Sequence, residues 1–522
     1  MSISGPTARR VPNKDPDGSG RSEYRRDHDR VFYSAEFERL EDVTQIATVT
    51  SSSVRNRLTH SYRVEQIARS IADANRNSPE IDEDIVMTAA LVHDIGHAPF
   101  GHTGEEALQK AVSCERHRAE PLTLEQRRSD VPKLLSGEKS QFLCENGICI
   151  LPDGFEGNAQ SFRILTLLGS NHPSSISAGL NLTRRTLRAS LKYSWLRGEK
   201  ESKPGKWGIY DLDAESYAWV LNVFDENFPD SISGHLPQAI EASIMDISDD
   251  VAYAVHDIED AYKAGLIPFS EILLSPPSPT FLKILAYIRA ELQGPLHTSS
   301  VQSILDEWDD VKGDFRKILD KDGSGTPKYP HLNQLEQLMN ILAAPRYTEG
   351  LDSRKRLSTW RGALIKLFVG DVVVNDAVAD FGNEHLRSGI EFLKQLTWYF
   401  VIDDPDLSAI REGQEALMTA CFERLFREAC AANLSDIAAD SASWLETPLH
   451  RVAKRLPERL TDYVALARLQ QENAKVALVT PRQAVARATL DYICSLTDSE
   501  VYSYSLQLDG APSHAVPRAF TR

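Results

Sequence analysis

Sulfur is sparse in this chain of 522 residues, which holds six cysteines (Cys114, Cys144, Cys149, Cys421, Cys430, Cys494) and five methionines. The cysteines are scattered and form no C-x-x-C pair, a pattern that indicates neither a zinc ribbon nor a disulfide framework and fits a reducing, cytoplasmic location. No uninterrupted apolar stretch reaches the roughly 20 residues that a bilayer crossing needs, so no membrane partner is expected. The polar, Arg-rich opening lacks the apolar middle of a secretion signal. Positive charge is in deficit: 58 Lys and Arg against 75 Asp and Glu give a formal net charge of −17. The global field therefore repels nucleic acid and anionic membrane, and a phosphate-bearing ligand must be held by a metal or by cations gathered locally. One local cationic run stands at the start (Arg9, Arg10, Lys14, Arg21, Arg25, Arg26, Arg30), but it is interspersed with Pro, Gly, Ser and Asp. Residues 1–30 are read as a flexible polar N-terminus.

With 42% hydrophobic and 25% charged residues, the chain is an ordinary globular protein rather than a disordered one. Apolar residues recur at helical intervals from Leu58 to Ala74, and a second helix is predicted from Asp82 to His93. Gly96, Pro99 and Gly101 then break the pattern, and Thr103 is the expected cap of the next helix. A charged, poorly periodic stretch follows, with Asn146-Gly147 between short apolar runs as the signal for a small hairpin. Helices resume near Asn158, and the clearest later one is predicted from Leu236 to Lys263, stopping at Gly265. On it Asp249, Tyr253 and Asp257 recur every four residues and are expected to share one face. Further helices are predicted over Leu335–Ala343, Arg361–Ala379, Glu391–Val401, Gly413–Ala431, Pro457–Glu472 and Pro481–Leu496. The fold class expected is all-α, a helical bundle with additional helices and a small β-hairpin insertion. Its divisions are a core over 31–265 with an insertion at about 114–152, a helical C-terminal region over 266–500 that completes the pocket and oligomer contacts, and a tail over 501–522.

Chemistry concentrates in His93-Asp94-Ile95-Gly96-His97-Ala98-Pro99-Phe100-Gly101-His102. Three histidines and an aspartate in ten residues are hard to explain as packing, because buried imidazole and carboxylate are costly unless paired or coordinated. Isolated histidines such as His28, His331 and His385 are read instead as hydrogen-bonded helix residues. His93 and Asp94 can share one ion if the helix end turns both inward, with His60 and a later Asp completing the set from neighbouring helices. Mixed imidazole and carboxylate donors suit a divalent ion such as Mn, Fe, Co or Ni, with Mg also allowed.

Four motifs occur in order: Arg57-Leu-Thr-His60-Ser, Ala90-Leu-Val-His93-Asp94-Ile-Gly-His97-Ala-Pro-Phe-Gly-His102, Phe155-Glu-Gly-Asn-Ala-Gln160-Ser and Asp249-Asp250-Val-Ala-Tyr253. Together they resemble the deoxyguanosine triphosphate triphosphohydrolase family of the HD phosphohydrolase superfamily. Val31-Phe-Tyr-Ser-Ala-Glu-Phe-Glu-Arg-Leu, Asn181-Leu-Thr, Leu191-Lys192-Tyr193 and Leu460-Thr-Asp-Tyr463 extend the likeness over roughly residues 30–500. The resemblance implies an HD-domain bundle and metal-dependent hydrolysis of a deoxynucleoside triphosphate, dGTP being preferred, to deoxynucleoside and inorganic triphosphate.

By that resemblance the metal ligands are His60, His93, Asp94 and Asp249. Asp250 is the neighbour most easily confused with the last; the stripe shared with Tyr253 and Asp257 favours Asp249, and Asp246, one turn earlier, ranks below it. His102 is the expected proton donor to the leaving 5′ oxygen, with Glu105 orienting its imidazole. Arg57, His97, Lys192 and Tyr193 are expected at the phosphates or nearby, with Lys206 a looser candidate. Tyr253, Asp257 and Gln45 are expected to read the sugar. One departure stands out: some relatives carry His where this chain has Gly157, so no third catalytic histidine is assigned there. The resemblance also implies a homo-oligomer, with a hexamer as one form, and leaves a local single-stranded DNA site open despite the net charge. Other readings are an HD phosphohydrolase acting on a nucleotide monophosphate, cyclic nucleotide or alarmone, and a nucleic-acid-responsive regulator.

Overall fold

A computed structural model of the chain describes residues 5–11, 20–45, 56–78, 80–136, 138, 143–144, 147–170, 178–222, 237–272, 279–292, 299–311, 317, 320–343, 347–375, 378–432, 456–474 and 479–508. Over these residues the fold is mostly α, as expected, with two short antiparallel hairpins as the only sheets among them. The hairpin in the insertion pairs Leu143 with Ile148 and Cys144 with Gly147, so Gly147 lies in the ladder rather than in the turn. The other hairpin, Val372–Val374 against Ala379–Phe381, replaces the end of a predicted helix. That helix runs over Leu351–Asp371 instead, and the β-branched Val372-Val373-Val374 favours the extended chain that follows.

At the centre lies the helix Glu83–Val92, capped by Asp82, whose side chain accepts from Ile85 N at 3.2 Å. Every residue from Ile85 to Val92 is buried. A helix apolar all round has to be covered on every side; here Glu23–Phe32, Arg57–Ala74, Arg184–Ala189 and Ile240–Ala252 pack on it. Its C-terminal end therefore delivers His93 and Asp94 into the middle of the bundle, where the negative end of the helix dipole favours a cation.

Three boundaries differ from expectation. The helix Glu23–Phe32 starts inside the stretch expected to be flexible, and Arg9 is buried with its guanidinium on Asp27 and on the carbonyl of Asn181 at 2.7 Å. Asp27 is fully buried and needs a counter-charge, which is why this polar segment packs down. Thr103 is not a cap: the helix is His102–Val112, and its N-cap is Gly101 at φ +57° with no side-chain cap. At the other end the helix Asp498–Leu508 carries order past residue 501, and 509–522 lie outside the described residues.

The C-terminal region supplies a second apolar core in which Pro405–Ala432, Glu458–Asn473, Pro481–Cys494 and Asp498–Leu508 close on His102–Val112. Asp498 fastens it to the ligand-rich turn: one oxygen accepts from Phe100 N at 2.8 Å, the other from Thr44 N at 3.0 Å and Thr44 Oγ1 at 2.6 Å. No described helix is long and apolar enough to cross a membrane.

Candidate active site

Two imidazoles and a carboxylate from three helices meet at one point. His60, in the first turns of Arg57–Ala74, places Nε2 3.1 Å from Asp249 Oδ1; His93 Nε2 is 3.6 Å from the same oxygen. One donor atom from each of the three lies within 4.8 Å of the others. His93 Nδ1 is 2.7 Å from the carbonyl of Ala90, which accepts its N–H and leaves Nε2 as the nitrogen that would coordinate a metal on losing its proton. That Nε2 is buried without a hydrogen bond. An orphaned imidazole nitrogen aimed at a carboxylate is what a divalent ion would satisfy, so the residues fit a metal. Asp94 flanks the group, Oδ1 3.4 Å from His93 Nε2, while its Oδ2 takes a 2.5 Å ion pair from Arg57.

The neighbouring aspartates point elsewhere. Asp246 pairs with Lys192 Nζ at 2.6 Å, and Asp250 with Lys394 Nζ at 2.6 Å. Lys192 also reaches Asp249 Oδ2 at 3.4 Å. Burial opposes charge at Asp94 and Asp249, but there the local pairing wins, whereas at Asp250 burial outweighs the Lys394 charge and raises the carboxyl. Asp94 is held well below the usual carboxylate range by Arg57 and the histidines, and Asp249 likewise by Lys192 and His93. Burial is the largest influence on His93, but Asp94 and Asp249 outweigh it and raise the imidazole to about 9 without a metal. His97 goes the other way: burial and the Arg57 charge bring it down to about 4, so it is neutral near pH 7.

A second group lies alongside. His97, His102 and Glu105 bring donor atoms together, with His102 Nδ1 3.4 Å from Glu105 Oε2 and His97 Nε2 3.6 Å from Glu105 Oε1. Burial alone would raise Glu105, but His97, His102 and Lys206 hold it ionised down to about pH 2. His102 is largely exposed, its side chain 71% accessible, at the mouth of a cavity of about 620 Å³. That volume is in the range of small-molecule sites, roughly 300–1,000 Å³. The wall includes Gln45, Arg57, His93, Asp94, His97, Glu105, Asn158, Lys192, Tyr193, Lys206, Asp249 and Tyr253. Gln45 Oε1 is buried there without a hydrogen bond.

Gly157 explains its own departure. A Cβ at this position would meet Glu105 Oε1 at 2.2 Å and His97 Nδ1 at 3.5 Å, so the space a side chain would take is filled by the acid and the imidazole. Glu156 beside it caps the helix Gly157–Arg163, accepting from Asn158 N at 2.6 Å, and pairs with Lys206 at 3.2 Å. Gln160 turns away to Asp491 at 2.9 Å.

Asp257 does not join the cavity wall. The chain from Tyr253 to Asp257 forms a wide π turn instead of continuing the α-helix, and this rotates Asp257 into the core, where it is fully buried behind Tyr253. A second π turn, Trp398–Ile402, brings Trp398, Val401 and Ile402 to the cavity, and with them come Lys394 and Arg411. None of these C-terminal residues was expected. Lys394 sits in an amphipathic helix with Glu391 three residues before it, and only the tertiary packing against Asp250 sets it apart from a solvated lysine.

An α-helical bundle with His and Asp donors delivered by a buried helix end defines an HD-domain phosphohydrolase, and residues 57–130 match the HD domain model. The deoxyguanosinetriphosphate triphosphohydrolase-like protein of Corynebacterium efficiens is 30% identical over 429 residues, covering 78% of this chain and 80% of that protein. The proteins of that name from Streptomyces coelicolor (36% over 275 residues, 51% of this chain and 52% of the relative) and, numbered 2, from Vibrio cholerae (37% over 255 residues, 48% and 50%) are similar over about half their length. The chain belongs to the deoxyguanosinetriphosphate triphosphohydrolase-like family.

Proposed function

We propose that this protein hydrolyses deoxynucleoside triphosphates, dGTP first among them, to the deoxynucleoside and inorganic triphosphate. The observation that carries this reading is the convergence of His60 with His93 and Asp249, the last two at the wall of a cavity that also gathers Arg57, Lys192, Lys206, Lys394 and Arg411 in a chain of net charge −17. Cations collected against the global field answer the charge of a triphosphate.

In this reading His60, His93, Asp94 and Asp249 hold one divalent ion, with manganese, magnesium, cobalt, iron and nickel all compatible with the donors. Such an ion supplies Lewis-acid polarisation at the α-phosphoryl group and lowers the pKa of water. Arg57, Lys192, Lys206 and Tyr193 bind the phosphate chain. As water adds to the α-phosphorus, the bond to the 5′ oxygen breaks and that oxygen needs a proton. His102 gives it, and Glu105 fixes the imidazole and stabilises its charged form; a positioned acid is worth roughly 10²–10⁴-fold. His97, neutral and buried, holds Glu105 and Asp94 in place. Tyr253 fills the space of a 2′ hydroxyl, Gln45 offers its unpaired oxygen to the sugar, and Asp257 supports Tyr253 from behind. The enzyme works on its nucleotide in the cytoplasm as a homo-oligomer.

The test is to incubate metal-supplemented protein with the four deoxynucleoside triphosphates and their ribonucleotide counterparts and to resolve products by ion-exchange chromatography. Triphosphate released from deoxynucleotides, fastest from dGTP, is the expected result. Pyrophosphate or orthophosphate as the product would point instead to another phosphohydrolase chemistry.

A further inference from the structure

Cys114, His117 and Cys149, unremarkable in the sequence, come together in the fold. Cys114 is the N-cap of the helix Glu115–Ala119, His117 lies on that helix, and Cys149 follows the strand Gly147–Ile148. One ligand atom from each, two sulfurs and an imidazole nitrogen, falls within 4.8 Å of the others. His117 Nδ1 is 3.1 Å from Cys149 Sγ, and the backbone N–H of Cys114 donates to that sulfur at 3.3 Å. His117 and Cys149 are buried and Cys114 is half-buried. Arg197 donates to the carbonyls of His117 at 2.9 Å and Pro152 at 3.0 Å, which puts a guanidinium charge beside Cys149.

An N–H aimed at sulfur and a fixed cation nearby both favour thiolate over thiol. The other cysteines given a side-chain environment, Cys421, Cys430 and Cys494, sit in the apolar C-terminal core. We propose that Cys114, His117 and Cys149 bind a zinc ion, a metal centre separate from the HD site that clasps the two ends of the 114–152 insertion. On binding, each thiol gives its proton to solvent and its sulfur coordinates as thiolate, with no change of oxidation state. Three protein donors leave one tetrahedral position, which water takes.

The clasp has a structural purpose. Leu151 N donates to Val112 O at 2.9 Å, and Gln109 Oε1 accepts from Phe155 N at 2.6 Å. The closed end of the insertion thus ties the helix His102–Val112, which carries His102 and Glu105, to the segment that carries Gly157 and Asn158. Cross-linking residues 35 apart removes loop-closure entropy from the unfolded chain.

The test uses the full-length reduced protein loaded with cobalt(II). Thiolate-to-cobalt charge transfer gives a near-ultraviolet band to which the sulfur-free HD site contributes nothing. The expected result is a band whose full amplitude corresponds to one thiolate-bound cobalt per chain, which is displaced by zinc, is lost in Cys114→Ser and Cys149→Ser, and persists in His93→Ala. Because a cysteine variant can fail to fold, thiol titration of the wild type stands beside it: Cys114 and Cys149 should resist modification with zinc bound and react after chelation. No charge-transfer band in the reduced wild type, a band that survives in both cysteine variants, or a Cys114–Cys149 disulfide as the isolated state would overturn the proposal.

Discussion

Replacing Gly157 by alanine isolates the Glu105–His102 pair from everything else in the site. The added Cβ would lie 2.2 Å from Glu105 Oε1, far inside van der Waals contact, and 3.2 Å from Glu105 Cδ, so the carboxylate has to swing away. Glu105 is only 13% accessible at its side chain and its two oxygens face His97 and His102 at 3.6 and 3.4 Å, so no alternative position keeps both partners. Losing a hydrogen bond to a buried charged group costs about 1.5–3 kcal/mol, and if that loss falls on the transition state it slows turnover roughly 10- to 150-fold. Stability should move little, because Gly→Ala at a helix start gains up to about 1 kcal/mol by restricting the unfolded chain. The assay is kcat for triphosphate release together with a thermal melt of the same preparation. A fall in kcat with the melting temperature within a few degrees of the wild type is expected. Unchanged kcat would refute the role given to Glu105, and a collapsed melting temperature would show that the glycine serves packing instead.

Arg57→Ala strips the counter-charge from Asp94, and because both side chains are buried, urea unfolding should show a loss of about 3–5 kcal/mol in metal-free protein. Asp249→Asn should weaken divalent-metal binding by more than the roughly 10–100-fold typical of an outer partner's removal, read by equilibrium dialysis; unchanged affinity would remove Asp249 from the ligand set. Lys394→Ala should raise KM for the nucleotide more than it lowers kcat, since Lys394 stands at the cavity wall paired with Asp250 and has no part in proton transfer. Burial acts to raise Glu259, but His256, Lys263 and Arg361 bring it down to about 2 from an ordinary value of 4.5. A lowered carboxylate stabilises the fold above its unfolded pKa and loses that contribution as pH falls toward its folded one. The Glu259→Gln variant should therefore lose stability at neutral pH and show a flatter stability curve between pH 4.5 and 2, measured by chemical denaturation.

What the sequence revealed was local. His93, Asp94, His97 and His102 lie within ten residues, and the buried helix ahead of them is plain from an apolar run from Ile85 to Val92 that only Thr88 interrupts. The spacing of Asp249, Tyr253 and Asp257 misled at its last member because it assumes constant helical pitch, and the π turn after Ala252 is a tertiary accommodation with no sequence mark. Lys394 and Arg411 were invisible for another reason: a cation at a cavity wall and one in water have the same local pattern. The Cys114–His117–Cys149 group was missed because its spacing spans an insertion whose two ends only the fold brings together. Gly157 could be seen as a departure, yet the filling of its space by Glu105 required the packed structure.

The central claim is that water enters at the α-phosphorus and the 5′ oxygen leaves with the sugar. Hydrolysis of dGTP in water labelled with heavy oxygen, followed by mass spectrometry of both products, reads that bond directly. The account predicts one labelled oxygen in the inorganic triphosphate and none in the deoxyguanosine. Label in deoxyguanosine, or in a released pyrophosphate or orthophosphate, would contradict it.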